Sequence, residues 1–146
     1  MIKIEELMDS WQKDSIVDEG NINGELIKIP QLHAKYLRHL NDHKLAAIKS
    51  KFDFDKMKHI KTEYYLGNLD KETLDNYGWE QFDVRVGAKG NLDRYLASDN
   101  DLIKLTQKKA YHEQVVYDCE GILNELKSRS WQLKSYIEYM KFLNGA

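Results

Sequence analysis

Apolar residues near the start of the chain recur at helical spacing. The four that share one side of a helix are Ile4, Leu7, Met8 and Trp11. Because polar and acidic residues lie between them, this pattern predicts a short amphipathic helix over residues 2–14. The sequence EGNING at residues 19–24 is then expected to end it, since asparagine and glycine favour turns.

A second, long helix is predicted from Pro30 to about Leu66, a stretch with no glycine and no further proline. Pro30 suits the first turn of this helix, because backbone N–H groups make no hydrogen bond within the helix there and proline has none. Gly67 and Asn68 then match a common signal for the end of a helix. One continuous helix is therefore expected in the first half of the chain.

The stretch that follows has a different pattern. Glycines recur at Gly78, Gly87 and Gly90, and Val84 and Val86 alternate across Arg85 as in a short strand or hairpin. A long segment of this kind inside a compact domain is either functional or an assembly contact. We therefore expect an irregular connector over residues 67–98 that could include a short strand or hairpin.

A third helix is predicted from Ser98 and Asp99, which suit its N-terminal cap, to about Leu143. Apolar residues form two heptad rows along it, with a third row beside them. The first row is Leu102, Lys109, Val116, Leu123, Ser130 and Ile137, and the second is Leu105, His112, Cys119, Leu126, Leu133 and Met140. The third row is Val115, Ile122, Tyr136 and Leu143. So wide an apolar face fits a helix that packs against its own chain on one side and a neighbouring subunit on the other.

These elements predict a mainly α protein with a short N-terminal helix and two long helices packed as a helical hairpin or bundle. A length of 146 residues suits a single domain, and 32% charged residues with one proline and 8 glycines favour helices over a β-sandwich.

The only cysteine, Cys119, excludes an intramolecular disulfide and a cysteine-based metal site, and its heptad position predicts a buried apolar filler. No apolar run approaches the roughly 20 residues of a membrane helix, and no signal peptide is evident, so we expect a soluble cytosolic protein.

Positive charge is concentrated in one part of the chain. Between Gln31 and Lys61 the chain has eight lysines and arginines but only three aspartates. This segment therefore has a net charge of +5, whereas the net charge of the whole chain is −2. Lys44, Lys51 and Lys58 are seven residues apart and form one row on a helix. Such rows suit the phosphates of a nucleic acid, whereas a merely solvated helix face is the simpler alternative.

Aromatic rings accompany these lysines. Tyr64 and Tyr65 come directly after Lys61, and rings beside lysines are typical of surfaces that bind single-stranded nucleic acid. Phe52 and Phe54 are assigned to the core instead. The candidate nucleic-acid-binding residues are therefore Lys44, Lys51, Lys58, His59, Lys61, Tyr64 and Tyr65.

Signals of catalysis are weak. The chain has no phosphate-binding GxxxxGK[ST] loop and no GxSxG motif, which disfavours the corresponding nucleotidases and hydrolases. His39 and His43 are one helical turn apart, but no matching carboxylate motif completes a metal site. A non-enzymatic protein is therefore favoured, and we expect no metal and no cofactor.

Two segments resemble a known family. They are HIKTEYYLG at residues 59–67, which ends the basic helix, and CEGILNELKSRSWQLKSYIEYMKF at residues 119–142, within the last helix. Their order and spacing, around a glycine-containing middle, resemble the UvsY family of phage recombination mediator proteins. The resemblance covers residues 33–67 and 98–142.

The resemblance implies a mediator that binds single-stranded DNA and assembles through its C-terminal part into a ring-shaped homo-oligomer, a hexamer or heptamer. Such a mediator helps a RecA-like phage recombinase load onto strands coated by the phage single-strand-binding protein. It implies no enzymatic activity, no membrane association and a location in the cytoplasm of the infected bacterial host. Residues 1–66 are then the DNA-binding helices, residues 67–98 the connector and residues 99–146 the oligomerisation helix.

The resemblance also assigns individual residues. The basic Lys-x-Arg pair that precedes the tyrosines in the family falls here on His59 and Lys61. Because histidine stands here at the lysine position of this pair, Lys58 is expected to supplement this contact. Arg129, in the second basic segment of the family pattern, could contact DNA, a neighbouring subunit or a carboxylate. The expected oligomerisation residues are Val116, Leu123, Leu126, Leu133, Ile137 and Met140.

Two other hypotheses remain beside the mediator. The first is a helical scaffold or assembly protein without DNA binding, in which the lysines are solvated surface or bind an acidic protein. The second is a small nuclease or regulatory enzyme that uses His39 and His43. Binding of a single strand without sequence preference, weakened by salt, separates the mediator from the scaffold, and metal-dependent cleavage of that strand would indicate the nuclease.

Overall fold

The computed structural model of the protein describes residues 1–86 and 89–145, except for the side chain of Lys89. Within this described part, the α-helices are α1 (Ile4–Asp14), α2 (Ile22–Tyr65), α3 (Lys71–Tyr77), α4 (Lys89–Ala97) and α5 (Asn100–Leu143). A short 3₁₀ turn, Glu19–Asn21, precedes α2. The prediction of a mainly α protein is confirmed. None of the helices in the described residues is both long and apolar enough to cross a membrane.

Helix α2 begins earlier than the sequence pattern predicts. It starts at Ile22, so that Pro30 lies inside the helix rather than in its first turn. The side-chain oxygen of Asn21 accepts a hydrogen bond from the amide of Gly24 at 3.2 Å, which satisfies one of the free N–H groups at the helix start. This local cap explains why the helix begins before Pro30, although the proline removes one hydrogen bond from its interior.

The end of α2 is as predicted. Gly67 has a φ angle of +76°, in the left-handed region that glycine adopts without strain. The amide of Asn68 donates to the carbonyl of Glu63 at 2.9 Å, and the amide of Gly67 donates to that of Tyr64 at 3.0 Å. This pair of hydrogen bonds is a Schellman motif, which closes the last turn of the helix.

The predicted irregular connector contains two helices instead. Asp70 accepts a hydrogen bond from the amide of Thr73 at 2.8 Å and so caps α3, and Gly78 ends this helix in a left-handed conformation. Helix α4 follows at Lys89–Ala97. Val84 and Val86 do not form a strand, and the described residues contain none, whereas Gly87 lies outside the described residues. The alternation of two valines was too short a pattern to predict a strand, since a ladder also needs a partner.

The packing of the chain forms two compact units. The first combines Met1–Leu45 with the chain from His112 onward, and the second is Ala46–Tyr111, so that α2 and α5 each contribute to both. The core of the first unit contains Leu7, Tyr36, Leu40, Val115, Cys119, Ile122, Leu123 and Leu126. Burial, together with the nearby Asp118 and Glu120, raises the pKa of Cys119 to about 11. The thiol therefore stays neutral and acts as the apolar filler that its heptad position predicts.

Arg129 binds the end of α1 within the first unit. Its two terminal nitrogens donate to the backbone carbonyls of Asp14 and Ser15, each at 3.1 Å, and the guanidinium lies 5.4 Å from the ring centre of Trp11. The sequence suggests DNA, a neighbouring subunit or a carboxylate as the partner of Arg129, but the observed partners are backbone carbonyls. The free carbonyls at the C-terminal end of a helix also attract a cation. Arg129 is thus a structural residue that anchors α1 on α5.

We expect Arg129→Met to lower the free energy of unfolding by about 2 kcal/mol, because two backbone carbonyls at the end of α1 lose charged hydrogen-bond donors. Urea denaturation followed by circular dichroism measures this change. The matched control is Lys127→Met, which removes an exposed positive charge two residues away and should stay within about 0.5 kcal/mol of the unmodified protein. Equal stability of the two variants would contradict the anchoring role.

Candidate nucleic-acid interface

The lysine row predicted from the sequence lies on one continuous helix. Lys44, Lys51 and Lys58 are all exposed on α2. None of the three is within 4.0 Å of a carboxylate oxygen in the part of the chain that the structure describes. At a rise of 1.5 Å per residue, consecutive lysines of the row are about 10 Å apart along the helix axis. Three unpaired cations at regular spacing are therefore available to an anionic partner.

Phe52 is more exposed than the sequence analysis expects. Its side chain is 58% exposed, so the assignment to the core is wrong for this residue, whereas Phe54 is half-buried. Lys49 and Lys56 are three and four residues away, so they flank the ring on the helix surface. Lys49 forms only a long contact of 3.7 Å with Asp53. An exposed ring between lysines is the arrangement that binds unpaired bases, which makes Phe52 a candidate that the sequence analysis missed.

Lys61 has a different environment from the other lysines of α2. Its ammonium group is 3.1 Å from a carboxylate oxygen of Asp99 and 2.8 Å from one of Asp101, and it lies 4.0 Å from the ring centre of Trp79. Burial alone would lower the pKa of Lys61, but the hydrogen bonds to the two aspartates raise it above its usual value. The charge of Lys61 is thus stable and already neutralised within the protein.

Tyr64 and Tyr65 belong to a group of aromatic side chains that we call the aromatic cluster. Its members are Tyr64, Tyr65, Trp79, Phe82 and Tyr95, with ring centres 5.0–5.7 Å apart. Tyr65 stacks on Tyr95 at an angle of 23° between the rings, and its hydroxyl donates to Asp99 at 2.6 Å. Since both tyrosines are half-buried and pack against other rings, most of their ring surface is occupied.

Asp99 connects Lys61, Tyr65 and α5. Burial raises its pKa, but hydrogen bonds from the Tyr65 hydroxyl, the Leu102 amide and Lys61 outweigh this effect and hold the pKa below its usual value. The bond from the Leu102 amide, 3.1 Å long, is the N-terminal cap of α5 that the sequence predicts. The carboxylate therefore stays charged over the ordinary pH range and fixes the end of α2 to the start of α5.

The histidines do not gather into a metal site. His43 is buried, and its ring nitrogens lie 2.9 Å from Nδ1 of His112 and 2.8 Å from the backbone oxygen of Ile2. Both nitrogens are therefore engaged within the first unit. Within residues 1–86 and 89–145, no three histidine, cysteine or acidic side chains are close enough to hold a metal ion. His59 is exposed on α2 next to Lys58.

The predicted oligomerisation residues differ in exposure. Leu123 and Leu126 are part of the core of the first unit, Val116 packs against it, and Leu133 is buried as well. Ile137 is half-buried, and Met140 is 37% exposed. The heptad rows therefore serve largely to pack α5 against its own chain.

A different side of α5 carries large exposed rings. Tyr117, Trp131 and Phe142 are 71–77% exposed, and Tyr139 is 58% exposed. At 3.6 residues per turn, all four point within about 80° of one another. We call this surface the aromatic stripe. Gly121 lies on the same side, and a methyl group added there would meet no side-chain atom of the described residues within 4 Å.

Known proteins resemble this chain over its whole length. The family described as "Recombination, repair and ssDNA binding protein UvsY" matches residues 10–146. The recombination protein uvsY of Enterobacteria phage T4 is 21% identical over 144 residues, which cover 99% of both chains. Crystal structures of the bacteriophage T4 recombination mediator protein UvsY have a similar fold. The lattice type II structure has a TM-score of 0.83 at 20% identity over 100% of both chains, and the lattice type I structure has 0.82 at 20% over 93% of this chain and 97% of the other.

The family match extends from α1 to the end of α5 and so includes the lysine row, the aromatic cluster and both long helices. The family description names recombination, repair and single-stranded DNA binding. This chain belongs to the UvsY family of recombination, repair and single-stranded DNA binding proteins.

Proposed function

We propose that this protein is a phage recombination mediator that binds single-stranded DNA through the exposed lysine row of α2. The observation that carries the proposal is the row itself: Lys44, Lys51 and Lys58 are exposed and are not neutralised by carboxylates among the described residues. His59 adds a polar contact beside Lys58, and Phe52 offers a ring for stacking. Lys61, Tyr64 and Tyr65 then support this surface from inside the second unit.

The mediator acts by binding and not by a chemical step. It helps a RecA-like phage recombinase load onto strands that the phage single-strand-binding protein covers, in the cytoplasm of the infected host. A strand that binds several lysine rows at once is bent or extended. This distortion weakens its binding to the single-strand-binding protein and exposes a site where the recombinase can nucleate. The family description, which names recombination and single-stranded DNA, supports this role.

Assembly into a ring increases the strength of this binding. Each contact between a lysine and a phosphate is weak and sensitive to salt, whereas several subunits on one strand raise the effective concentration of the remaining contacts. The aromatic stripe of α5 is the surface that we propose for self-association, because four exposed rings on one side of a helix are unusual without a partner. Ile137 and Met140 supplement it at the end of the helix.

The triple variant Lys44→Ala/Lys51→Ala/Lys58→Ala should bind labelled oligothymidylate more weakly and with less dependence on salt. The slope of log K against log salt is negative, and each lost phosphate contact reduces its magnitude by about 0.7 on single strands. For three lost contacts, the magnitude of the slope should therefore fall by at least about 2. Fluorescence anisotropy between low and moderate salt measures this slope. The lysines are exposed, so circular dichroism and the free energy of unfolding should stay near those of the unmodified protein.

The matched control is Lys104→Ala/Lys108→Ala/Lys127→Ala, which removes the same charge from exposed positions on α5. It should keep the slope of the unmodified protein. If both triple variants lose equal slope, the lysine row has no special role. If the unmodified protein fails to bind at low salt, the scaffold hypothesis replaces the mediator.

A further inference from the structure

A cleft in the second unit opens between residues 84–85 and α4. Its volume is about 800 Å³, within the range of sites that hold a nucleotide-sized ligand. Arg85 and Arg94 both line it, together with Asn91 and Tyr95. Of the described residues that line the cleft, none is acidic.

Both arginines are exposed, and neither lies within 4.0 Å of a carboxylate oxygen of the described residues. A guanidinium group is planar and presents paired N–H donors, which match two oxygens of one phosphate group. Two such groups on one cleft, without a counter-ion from the part of the chain that the structure describes, favour a ligand that carries phosphate. The side-chain amide of Asn91 adds a neutral donor beside them.

One residue of the lysine row, Lys58, lines a cavity next to the cleft. A second, smaller cavity of about 280 Å³ is lined by Lys58 of α2 and by Asp93 and Ala97 of α4. Ala97 also lines the arginine cleft, so the two cavities are neighbours. Lys58 and Arg94 therefore line adjacent cavities that share a residue at the C-terminal end of α4.

We propose that the cleft between Arg85 and Arg94 binds a phosphodiester group of the same single strand that contacts the lysine row, and so extends the DNA path from α2 over α4. The inference rests on the proposed function, since it assigns further phosphate contacts to the same ligand. It gives the segment between α2 and α5 a role in DNA binding that the lysine row alone does not.

Arg85→Gln/Arg94→Gln tests this inference. In anisotropy titrations with labelled oligothymidylate, the slope of log K against log salt should fall by at least about 1.4, for two lost contacts per subunit, and the affinity should fall on the order of tenfold. The control Lys104→Gln/Lys108→Gln removes the same charge from exposed positions of α5 and should leave the slope unchanged. Sedimentation velocity checks that the assembly state is the same in all variants.

A second variant, Arg85→Lys/Arg94→Lys, guards against a folding defect. It keeps the charge but loses the paired donors, so the slope should stay near that of the unmodified protein while the affinity falls. If the glutamine variant binds like its control while the triple lysine variant of α2 loses affinity, the cleft does not bind DNA although the proposed function stands. If the unmodified protein does not bind the strand, both proposals fail.

Thymidine monophosphate distinguishes a free nucleotide from a DNA phosphate, since both present the same group to the arginines. Titration of this nucleotide, followed by tryptophan fluorescence, should give no saturable binding at low millimolar concentrations. Saturable binding that the glutamine variant loses, with an unchanged salt slope on oligothymidylate, would overturn the proposal and assign the cleft to a free nucleotide.

Discussion

Lys61→Ala should lower the free energy of unfolding by about 3 to 5 kcal/mol, because it leaves a buried carboxylate without its counter-ion. The side chains of Lys61 and Asp99 are only 8% and 3% exposed. Without the ammonium group, Asp99 keeps the Tyr65 hydroxyl and the Leu102 amide as partners, but no positive charge. Urea denaturation at pH 7 measures the loss, and any drop in DNA affinity then follows from damage to the second unit.

The matched control is Lys58→Ala, since Lys58 lies on the same helix but is exposed. Its free energy of unfolding should change by no more than about 0.5 kcal/mol. The double variant Lys61→Ala/Asp99→Asn should regain part of the lost stability, because the unpaired charge is gone. Unchanged stability of Lys61→Ala, together with weaker DNA binding, would instead make Lys61 a direct ligand of phosphate.

The loss of unfolding free energy caused by Lys61→Ala should depend on pH, because the Lys61–Asp99 pair is stabilising only while both groups are charged. The pKa of Asp99 is lowered from 3.8 in the folded protein, so its contribution to stability is complete above that value and is lost as the pH falls through the lowered pKa. The pKa of Lys61 is raised from 10.5, so its contribution is complete below that value and is lost only as the pH rises through the raised pKa. The cost of Lys61→Ala should therefore be constant around neutral pH and should shrink in acid, where Asp99 becomes protonated.

Trp131→Glu should break the proposed assembly without unfolding the subunit. Trp131 is 73% exposed in the centre of the aromatic stripe, so a charge there is solvated in the monomer but would be buried in an interface. Sedimentation velocity should show a smaller species with the helix content of the unmodified protein. Affinity for a long oligothymidylate should fall about 100-fold or more, because the avidity of repeated lysine rows is lost.

Gln107→Glu is the matched control, since it adds the same charge at an exposed position of α5 ten residues before Tyr117, the first ring of the aromatic stripe. It should keep both the assembly and the affinity. Leu126→Asp is a poor test of assembly by comparison, because Leu126 is fully buried in the core of the first unit and a charge there unfolds the subunit. Tight DNA binding by a monomeric Trp131→Glu protein would contradict the avidity argument.

The long elements of the fold could be predicted because their signals are local. The absence of glycine before Gly67 and the cap at Asp99 predict the end of α2 and the start of α5, and both are confirmed. The start of α2 was missed because the cap of Asn21 outweighs the preference of Pro30 for a first turn. The capping signals of α3, Asp70 and Gly78, are also visible in the sequence, but the alternating valines nearby suggest a strand instead.

The candidate site was less predictable, because its electrostatics depend on contacts that are distant in the sequence. The lysine row follows from periodicity alone, since exposure of one position on a helix predicts exposure seven residues later. The pairing of Lys61 with Asp99 joins residues that no local pattern connects, so Lys61 looks like its exposed neighbours in the sequence. Likewise, the apolar rows of α5 predict burial but do not say whether the same chain or another subunit covers them.

The contact between Tyr65 and Asp99 also bears on how this protein tolerates changes of length. The chain leaves α2 just after Tyr65 and enters α5 just after Asp99, and the two side chains are joined by a hydrogen bond of 2.6 Å. The segment between them therefore begins and ends at one hydrogen-bonded contact. Because the entropy of closing a loop grows only slowly with its length, insertions in this segment that leave Trp79, Phe82 and Tyr95 of the aromatic cluster in place should cost little stability.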